Sequence, residues 1–379
     1  MPDTAIKLLR DLIAIDSVNP SLVPGGAGER HIASMVASEM RSIGMDVEIT
    51  EVAPGRPNVI GVLEGRTKGQ CLMFCGHLDT VGVEGMEAPF DPVERNGRIY
   101  GRGAQDMKGG LAAMISAARG LTDSGGLAAG RLVVAAVIDE EYASLGAEAL
   151  VTRWRADAAV VAEPTDMIIA TGHKGFSWVE ITTGGRAAHG SRPRDGRDAI
   201  LRMGRVLSRL EALDRQLQSK PPHPVLGTAS LHASLITGGR ELSTYPDRCE
   251  LQMERRTIVG ESPHTALIEV DNILETLKEE DREFDGSARF LFGRPPYEIT
   301  AEHQLPQFLE EALSSIGRSS KRGGMTFWTD AAILGEAGIP SVIFGPGGFG
   351  LHGLEEYVLV DDVLACRDAL VELTRAFCT

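Results

Sequence analysis

Two hydrophobic patterns divide the chain. In residues 1–173, and again after residue 289, short continuous apolar runs alternate with amphipathic helical stripes. The runs at 71–76, 132–138 and 158–162 hold only apolar residues and glycine, which is typical of strands buried on both faces of a parallel sheet. A stripe from Ile32 to Ile43 has helical spacing, and Gly44 closes it. We therefore predict an α/β domain with a central, mostly parallel sheet and flanking helices.

The middle of the chain has a different pattern. Residues 176–181, 229–236 and 248–255 alternate between apolar and polar, as half-exposed antiparallel strands do. A helical stretch at 198–217 separates the first two segments and another at 265–279 follows the third, which fits the β-α-β-β-α-β order of ferredoxin-like modules. The prediction is a discontinuous α/β domain, residues 1–173 and 290–379, interrupted by a smaller α+β domain at 174–289.

Composition and charge narrow the class of protein. The 379 residues are 43% hydrophobic and 24% charged, and the formal net charge is −15. Without a basic cluster, this charge argues against nucleic acid and anionic membranes as partners. The five cysteines are odd in number and form no Cys-x-x-Cys pair, so we expect buried free thiols. No apolar run is long enough to span a bilayer and no signal-like segment opens the chain, so we expect a cytoplasmic protein.

Polar side chains follow each of the three apolar runs. His77 comes after the first run, Glu140 and Glu141 after the second, and Glu163 after the third. Ligands of open α/β sheets bind beyond the carboxyl ends of the strands, and imidazole with carboxylate suits a zinc-like ion. Because alternate residues of a regular strand face opposite ways, the chain must turn where Glu140 and Glu141 stand side by side.

Five motifs along the chain resemble those of a known family. They are Gly76-His77-Leu78-Asp79-Thr80, Tyr100-Gly101-Arg102-Gly103-Ala104-Gln105-Asp106-Met107-Lys108, Asp139-Glu140-Glu141, Ala162-Glu163-Pro164-Thr165, and the stretch from Gly345-Pro346-Gly347 to His352. Their order around an inserted domain resembles the co-catalytic zinc amidohydrolases and exopeptidases. This family includes acetylornithine deacetylase, succinyl-diaminopimelate desuccinylase, aminoacylase and carboxypeptidase G.

The resemblance implies two divalent metal ions, with Zn²⁺ first and Co²⁺ or Mn²⁺ as alternatives. A ligand that touches both ions is needed when they lie about 3.5–4 Å apart, and the family places Asp106 there. His77 and Glu163 would bind one ion, and Glu141 and His352 the other.

Further roles are also implied by the resemblance. Asp79 would accept a hydrogen bond from the far nitrogen of His77 and fix its tautomer. Glu140 would be the general base, taking a proton from the attacking water and passing it to the leaving amine. The family also implies a cis peptide between Asp106 and Met107. Supporting positions match at Thr329, Asp330 and Glu356.

The inserted domain carries three more candidates by resemblance. His189, in Ala187-Ala188-His189-Gly190-Ser191, matches a histidine that reaches the partner's active site in a dimer and donates to the oxyanion. Arg256 matches the arginine that holds the substrate's α-carboxylate. Ser243 stands where the family usually has Asn, which shortens the reach of that side chain toward the substrate.

The function that follows is hydrolysis of the amide bond of an N-acyl amino acid with a free carboxylate, by a homodimer. Within the family, deacetylase and desuccinylase are the activities we expect first, and dipeptidase or carboxypeptidase activity is the alternative. A non-catalytic binding protein on the same scaffold would lack one of the metal ligands or the general base, whereas this sequence has all five ligands and Glu140. A single-metal or cysteine-dependent hydrolase is the remaining alternative.

Overall fold

The computed structural model describes residues 3–379, and their contacts divide them into two units. Unit 1 comprises residues 3–172, 299–324 and 329–379, and unit 2 comprises residues 173–298 and 325–328. The helices are α1 Thr4–Ile13, α2 Arg30–Ile43, α3 Gly109–Asp123, α4 Leu145–Arg153, α5 Ala199–Ser219, α6 Thr265–Glu280, α7 Leu305–Ser315, α8 Ala331–Glu336 and α9 Val360–Phe377, and a π-helical turn covers Ala104–Lys108. No helix within residues 3–379 has the length and apolarity of a membrane span.

The strands are numbered in chain order. They are β1 Asp46–Ala53, β2 Arg56–Glu64, β3 Thr67–His77, β4 Val93–Arg95, β5 Arg98–Tyr100, β6 Ala129–Val137, β7 Ala158–Val161, β8 Ile169–His173, β9 Gly175–Gly184, β10 Ser230–Gly238, β11 Arg248–Thr257, β12 Gly286–Arg294, β13 Tyr297–Glu298, β14 Arg322–Met325, β15 Ser341–Ile343, β16 Gly348–Phe349 and β17 Tyr357–Leu359.

The large sheet of unit 1 is mixed, with a parallel centre. Its strands within unit 1 lie in the order β1-β2-β6-β3-β7-β15-β8, and β14 also pairs with β8. The β6–β3, β3–β7 and β7–β15 pairs are parallel, whereas β1–β2, β2–β6 and β15–β8 are antiparallel. The prediction of a mostly parallel sheet is therefore right only for the centre. Only residues 54–55 connect β1 to β2, and so short a connection can join antiparallel strands alone.

The parallel centre brings strand ends together at one edge. Strands β3, β6, β7 and β15 run in the same direction, so their carboxyl ends share that edge. Helix α3 packs tightly here because Gly110 has no side chain: a Cβ at this position would lie 1.8 Å from the carbonyl oxygen of Ala162. Ala162 directly precedes Glu163, so this close contact fixes the backbone next to a predicted ligand.

A second, small sheet in unit 1 was not predicted from the sequence. Its strands have the order β16-β17-β5-β4 and pair antiparallel. Each strand is only two or three residues long. The sheet connects the segment just before the Asp106 turn with the loop that carries His352.

Unit 2 is an antiparallel sheet with helices on one face. Its strands lie in the order β10-β11-β9-β12, and its elements follow the β-α-β-β-α-β order. Side chains of α5 and α6 form a hydrophobic core with inward residues of the sheet, such as Val179, Ile181 and Met253. The predicted boundary at 289/290 is wrong, because it cuts through β12. This strand pairs with β9 on both sides of the boundary, with a bulge between Phe290 and Phe292, and unit 2 continues to Glu298.

Candidate metal centre

Asp106 lies at the centre of two clusters of ligand-type atoms. On one side, His77 Nε2 lies 3.2 Å from Asp106 Oδ1 and 3.6 Å from Glu163 Oε1. On the other, His352 Nε2 lies 3.3 Å from Asp106 Oδ2 and 3.1 Å from Glu141 Oε2. Each carboxylate oxygen of Asp106 therefore faces a different cluster. The structure brings together all five side chains that the sequence predicted as metal ligands.

The donor set fits a pair of divalent cations. In each cluster the three candidate donor atoms lie within 4.8 Å of one another. Glu141 Oε1 is buried without a hydrogen-bond partner among the described residues, although a buried carboxylate oxygen normally has one. Imidazole nitrogens and carboxylate oxygens are ligands that zinc and similar ions accept.

Strand ends and turns place these donors. His77 is the last residue of β3, and Glu163 follows β7 by two residues. After β6 the chain turns sharply, because Asp139 has a left-handed φ of 69° and its carbonyl accepts three N–H groups from residues 142–144. This turn confirms the expectation for Glu140 and Glu141. His352 also has a positive φ, 58°, in the loop between β16 and β17.

The electrostatics of the cluster favour bound cations. Burial raises the pKa of Glu163 well above its usual range and that of Glu141 to about 7. Hydrogen bonds with Asp106 and Glu141 raise the pKa of His352 to about 10. Burial opposes ionisation of Asp106, but hydrogen bonds from His352 and His77 hold its pKa below the usual range. Crowded, desolvated carboxylates of this kind are stabilised by positive charge.

A buried carboxylate holds the backbone around Asp106. Glu356 Oε1 accepts the N–H groups of Gln105 and Asp106 at 2.9 and 3.1 Å. Its Oε2 accepts the N–H of Gly103 at 3.0 Å and Nη1 of Arg102 at 2.6 Å. The adjacent Asp106–Met107 peptide is cis, as the resemblance implied. Glu356 thus secures the turn that presents Asp106.

The expected role of Asp79 needs correction. His77 Nδ1 lies 2.9 Å from the main-chain carbonyl oxygen of Asp79, whereas the Asp79 carboxylate is 3.8 Å away. The carboxylate instead accepts the backbone N–H groups of Glu140 and Glu141, at 3.2 Å each, and the Asn19 amide at 2.8 Å. The carbonyl can fix the tautomer of His77. The Asp79 side chain holds the Glu140–Glu141 turn.

Behind this turn lies a buried polar network that sequence reasoning missed. Arg56 contacts both oxygens of Glu29 at 2.7 and 2.6 Å, and Asp139 Oδ1 at 2.8 Å. Asn19 links Asp139 at 3.0 Å to Asp79. The sequence gives only one hint of this network, which is that Asp139 directly precedes Glu140. Arg56 and Glu29 lie far from Asp139 along the chain, so nothing local marks them as its partners. Removing one member of such a buried ion pair leaves the other charge buried without a counter-charge.

A family model covers most of the chain. Residues 73–376 match the description Peptidase family M20/M25/M40. The chain belongs to this family. Membership makes it a metallohydrolase that acts on amide or peptide bonds, and the family match, together with the two clusters around Asp106, points to divalent metal ions.

Curated relatives of this M20-family chain match nearly its full length. An acetylornithine deacetylase from Myxococcus xanthus is 29% identical over 100% of this chain and 99% of its own length. An N-formyl-4-amino-5-aminomethyl-2-methylpyrimidine deformylase from Bacillus subtilis is 28% identical over 99% of this chain and 94% of its own length.

Solved structures share the M20 fold. A tripeptidase from Staphylococcus aureus superposes with a TM-score of 0.83 at 20% identity, covering 99% of this chain and 98% of that one. A dinuclear metal-binding M20 peptidase from Bacillus subtilis gives 0.75 at 16% identity, covering 99% and 97%. At these low sequence identities, the structural similarity shows a shared fold alone.

Glu140 lies beside the two clusters of this M20 protein and belongs to neither. Burial raises its pKa well above the usual range, and the charge of Glu163 raises it further. A carboxyl group with a raised pKa is suited to accept a proton and later release it. Glu140 is thus placed next to the candidate ligands without being one of them.

The three predicted residues of the inserted domain lie in unit 2. His189 and Ser243 are neighbours: residues 189 and 244 form a β-bridge, and the Ser243 carbonyl accepts the N–H of Gly190 at 2.7 Å. The His189 side chain is exposed, and its Nδ1 lies 2.8 Å from Ser191 Oγ. Arg256 is on β11, with Nε 2.6 Å from Glu254. The structure thus brings His189 and Ser243 together.

Proposed function

We propose that this protein hydrolyses the amide bond of N-acyl amino acids that carry a free α-carboxylate. The observation that carries the proposal is the pair of clusters that share Asp106, with the Glu140 carboxyl group beside them. The full-length curated relatives include deacetylases and a deformylase, which favours a deacylase. A dipeptidase or carboxypeptidase is the second candidate, because solved structures of the same fold include a tripeptidase and a metallo-carboxypeptidase.

In this proposal five side chains would hold two metal ions, Zn²⁺ by preference and Co²⁺ or Mn²⁺ otherwise. His77 and Glu163 would belong to one site, Glu141 and His352 to the other, and Asp106 would be shared by both. When bound, such a pair supplies Lewis acidity and a water of lowered pKa.

The other residues prepare the substrate and move protons. Glu140 accepts a proton from the attacking water and delivers it to the leaving amine. Arg256 holds the α-carboxylate through its guanidinium fork, and His189 of a second copy donates to the developing oxyanion. Ser243 lies next to His189 in the same loop pair and contributes a short hydroxyl group toward the substrate.

A homodimer is part of the proposal. Strand β10 is an edge strand of the unit 2 sheet, and its residues 232–238 are exposed, including Leu235 and Ile236. A long, apolar, exposed edge strand is a template for pairing with another chain, and a second copy of this chain offers the same edge. Gel filtration with light scattering measures this, and a monomer would contradict it.

The central experiment is a substrate panel with metal analysis. The purified protein, supplied with Zn²⁺, Co²⁺ or Mn²⁺, is tested on acetyl, succinyl, formyl and aminoacyl derivatives of amino acids. We expect hydrolysis of acyl derivatives over dipeptides. Glu140→Gln should keep both metals yet lose at least about 10²-fold in kcat, while the exposed control Glu275→Gln retains full activity. Loss of metal in Glu140→Gln, or full activity, would refute the role of Glu140.

The trans role of His189 has its own test. His189→Ala and Glu140→Gln subunits, each inactive alone, are mixed under conditions where subunit exchange is verified by a mass tag. Hybrid dimers should regain part of the activity, because one of their sites has both an intact base and an intact donor. Absence of rescue despite proven exchange would show that His189 does not act across the dimer.

A further inference from the structure

The open face of the unit 2 sheet carries a cluster of aromatic rings. Phe176 and Trp178 on β9 have ring centroids 5.2 Å apart, and Phe292 on β12 lies 5.8 Å from each. Trp328 meets Phe176 edge to face at 6.1 Å. We call these four residues the aromatic platform. Such spacings are those of interacting aromatic pairs.

The strand register shows that the platform is separate from the core of unit 2. Trp178 is paired with Phe292, whereas the next residue, Val179, is paired with Phe290 and Met253. Paired residues of neighbouring strands share a face, and adjacent residues of one strand face opposite ways. Val179 and Met253 belong to the core under the helices. The platform therefore lies on the face without helices, where Trp178 is 36% exposed.

Two arginines flank the platform. In the register, Phe176 is paired with Arg256 on one side and with Arg294 on the other. The guanidinium carbon of Arg256 lies 5.8 Å from the centre of the Phe176 ring, and that of Arg294 lies 5.2 Å from the Phe292 ring. A face of this kind attracts a group that is both planar and anionic.

A shared glutamate orients Arg256 and Trp178. Glu254 Oε1 forms an ion pair with Arg256, 2.6 Å from its Nε, and Glu254 Oε2 accepts the indole N–H of Trp178 at 2.9 Å. Within residues 3–379, the structure gives the two terminal nitrogens of Arg256 no hydrogen bond. They form the end of the guanidinium fork that fits a carboxylate. Glu254 thus holds the Arg256 guanidinium group, which can bind a carboxylate, next to the indole ring of Trp178.

We infer that the aromatic platform and Arg256 form the subsite for the amino-acid half of the substrate, and that this half is aromatic. The inference rests on the proposed function. A carboxylate bound by Arg256 carries its side chain over the adjacent Phe176 and Trp178, where an aromatic ring can stack. An ornithine side chain would bring an ammonium group between Arg256 and Arg294, and like charges repel. The substrate class is thus N-acyl aromatic amino acids, rather than the N-acetylornithine of several relatives.

Kinetics on matched amino-acid derivatives test the inference. We expect kcat/KM for N-acetyl-L-phenylalanine and N-acetyl-L-tryptophan to exceed that for N-acetyl-L-ornithine by at least about tenfold. Phe292→Leu should lower kcat/KM for the aromatic substrates by roughly two- to tenfold, the value of one aromatic pair. Its effect on N-acetyl-L-leucine should be smaller.

Phe290→Leu is the matched control. Phe290 lies two residues away on the same strand, but a bulge between Phe290 and Phe292 shifts the register, so Phe290 is paired with Val179 of the core face; its ring stacks on that of His264 at 4.5 Å. A structural disturbance of β12 would affect both variants and all substrates alike. A loss confined to Phe292→Leu and to aromatic substrates identifies the platform as the subsite.

A binding measurement gives a second readout that does not depend on turnover. Of the three tryptophans, Trp178 and Trp328 belong to the platform and Trp154 lies in unit 1. In a Trp154→Phe/Glu140→Gln protein loaded with Zn²⁺, N-acetyl-L-phenylalanine should change the tryptophan fluorescence in a saturable way. N-acetyl-L-ornithine at the same concentrations should not.

The outcomes separate this inference from the proposed function. If acyl amino acids are hydrolysed with no preference for aromatic side chains, and Phe292→Leu behaves like Phe290→Leu, the subsite is refuted and the proposed function stands. If no acyl amino acid is hydrolysed with any metal, the proposed function fails. The fluorescence titration then still decides whether the platform binds an aromatic carboxylate.

Discussion

Glu356 offers the sharpest test of how this centre is held together. Its two oxygens receive four N–H donors: three backbone groups around Asp106 and the guanidinium of Arg102. Both side chains of the Arg102–Glu356 pair are at most 3% exposed. Glu356→Gln keeps the size of the side chain but replaces one acceptor oxygen with a donor NH₂ group.

The magnitude follows from these contacts. The single carbonyl oxygen of the glutamine amide can accept at most two of the four N–H donors, so two hydrogen bonds are lost. In addition, Arg102 stays buried without its counter-charge. Removing one partner of a buried pair costs about 3–5 kcal/mol of the free energy of unfolding. The backbone N–H groups of Gln105 and Asp106 are among the donors at risk, so metal affinity should fall as well, by about 10–100-fold.

Urea unfolding of the metal-free protein and a competition titration with a zinc chelator measure the two effects. Glu310→Gln is the control, because Glu310 also accepts two hydrogen bonds, from Arg322 at 2.7 Å each, but that pair is exposed. An exposed pair contributes at most about 1 kcal/mol. A double-mutant cycle with Arg102→Met isolates the coupling between the two charges.

Two results would refute the reasoning. If Glu356→Gln loses no more stability than Glu310→Gln, the buried contacts do not carry the assigned energy. If stability falls but zinc affinity is unchanged, Glu356 stabilises the fold without positioning Asp106.

Three further predictions concern the rest of the centre. In the metal-free protein, Glu141 has a pKa of about 7 instead of 4.5, and His352 one of about 10 instead of 6.5. Both groups bind more protons in the folded state, so the free energy of unfolding should fall as pH rises from about 5 to 10. Thermal unfolding at a series of pH values tests this, and a rise would contradict the sign. Asp79→Asn should lower metal affinity or kcat/KM by about 10–100-fold, since it weakens the support of the Glu140–Glu141 turn; chelator titration and kinetics measure the loss, and unchanged values would contradict it. A thiol reagent should leave the activity intact and label the protein only after unfolding, because all five cysteines are buried; rapid inactivation in the folded state would favour a cysteine-dependent enzyme.

The sequence predicted the centre of the large sheet and the residues that meet at its edge. Continuous apolar runs mark strands buried on both faces, so the ends of β3, β6 and β7 could be located from the pattern alone. The pattern also predicted that the chain turns at Glu140 and Glu141. The antiparallel outer strands were missed because an apolar run does not record the direction of its neighbours.

The supporting contacts were harder to predict, for physical reasons. Strands of two or three residues, such as β16 and β5, have no detectable period. Arg56 and Asp139 are 83 residues apart in sequence, and Arg102 and Glu356 are 254 apart, so nothing local marks either pair. The error about Asp79 arose because a histidine ring can bond to a main-chain carbonyl as readily as to a carboxylate. Sequence pattern does not separate these two acceptors.

The distance along the chain between Arg102 and Glu356 should also matter while the protein is being synthesised. Four of the five proposed ligands precede residue 164, but His352 and the carboxylate that secures the Asp106 turn come about 190 residues later. A nascent chain that has emerged only as far as β15 already exposes a cluster of uncompensated carboxylates, and it lacks the groups that complete the second site. Because polypeptides fold from the amino terminus during synthesis, metal loading should follow translation, and a ribosome stalled before residue 352 would hold an enzyme unable to retain its second ion.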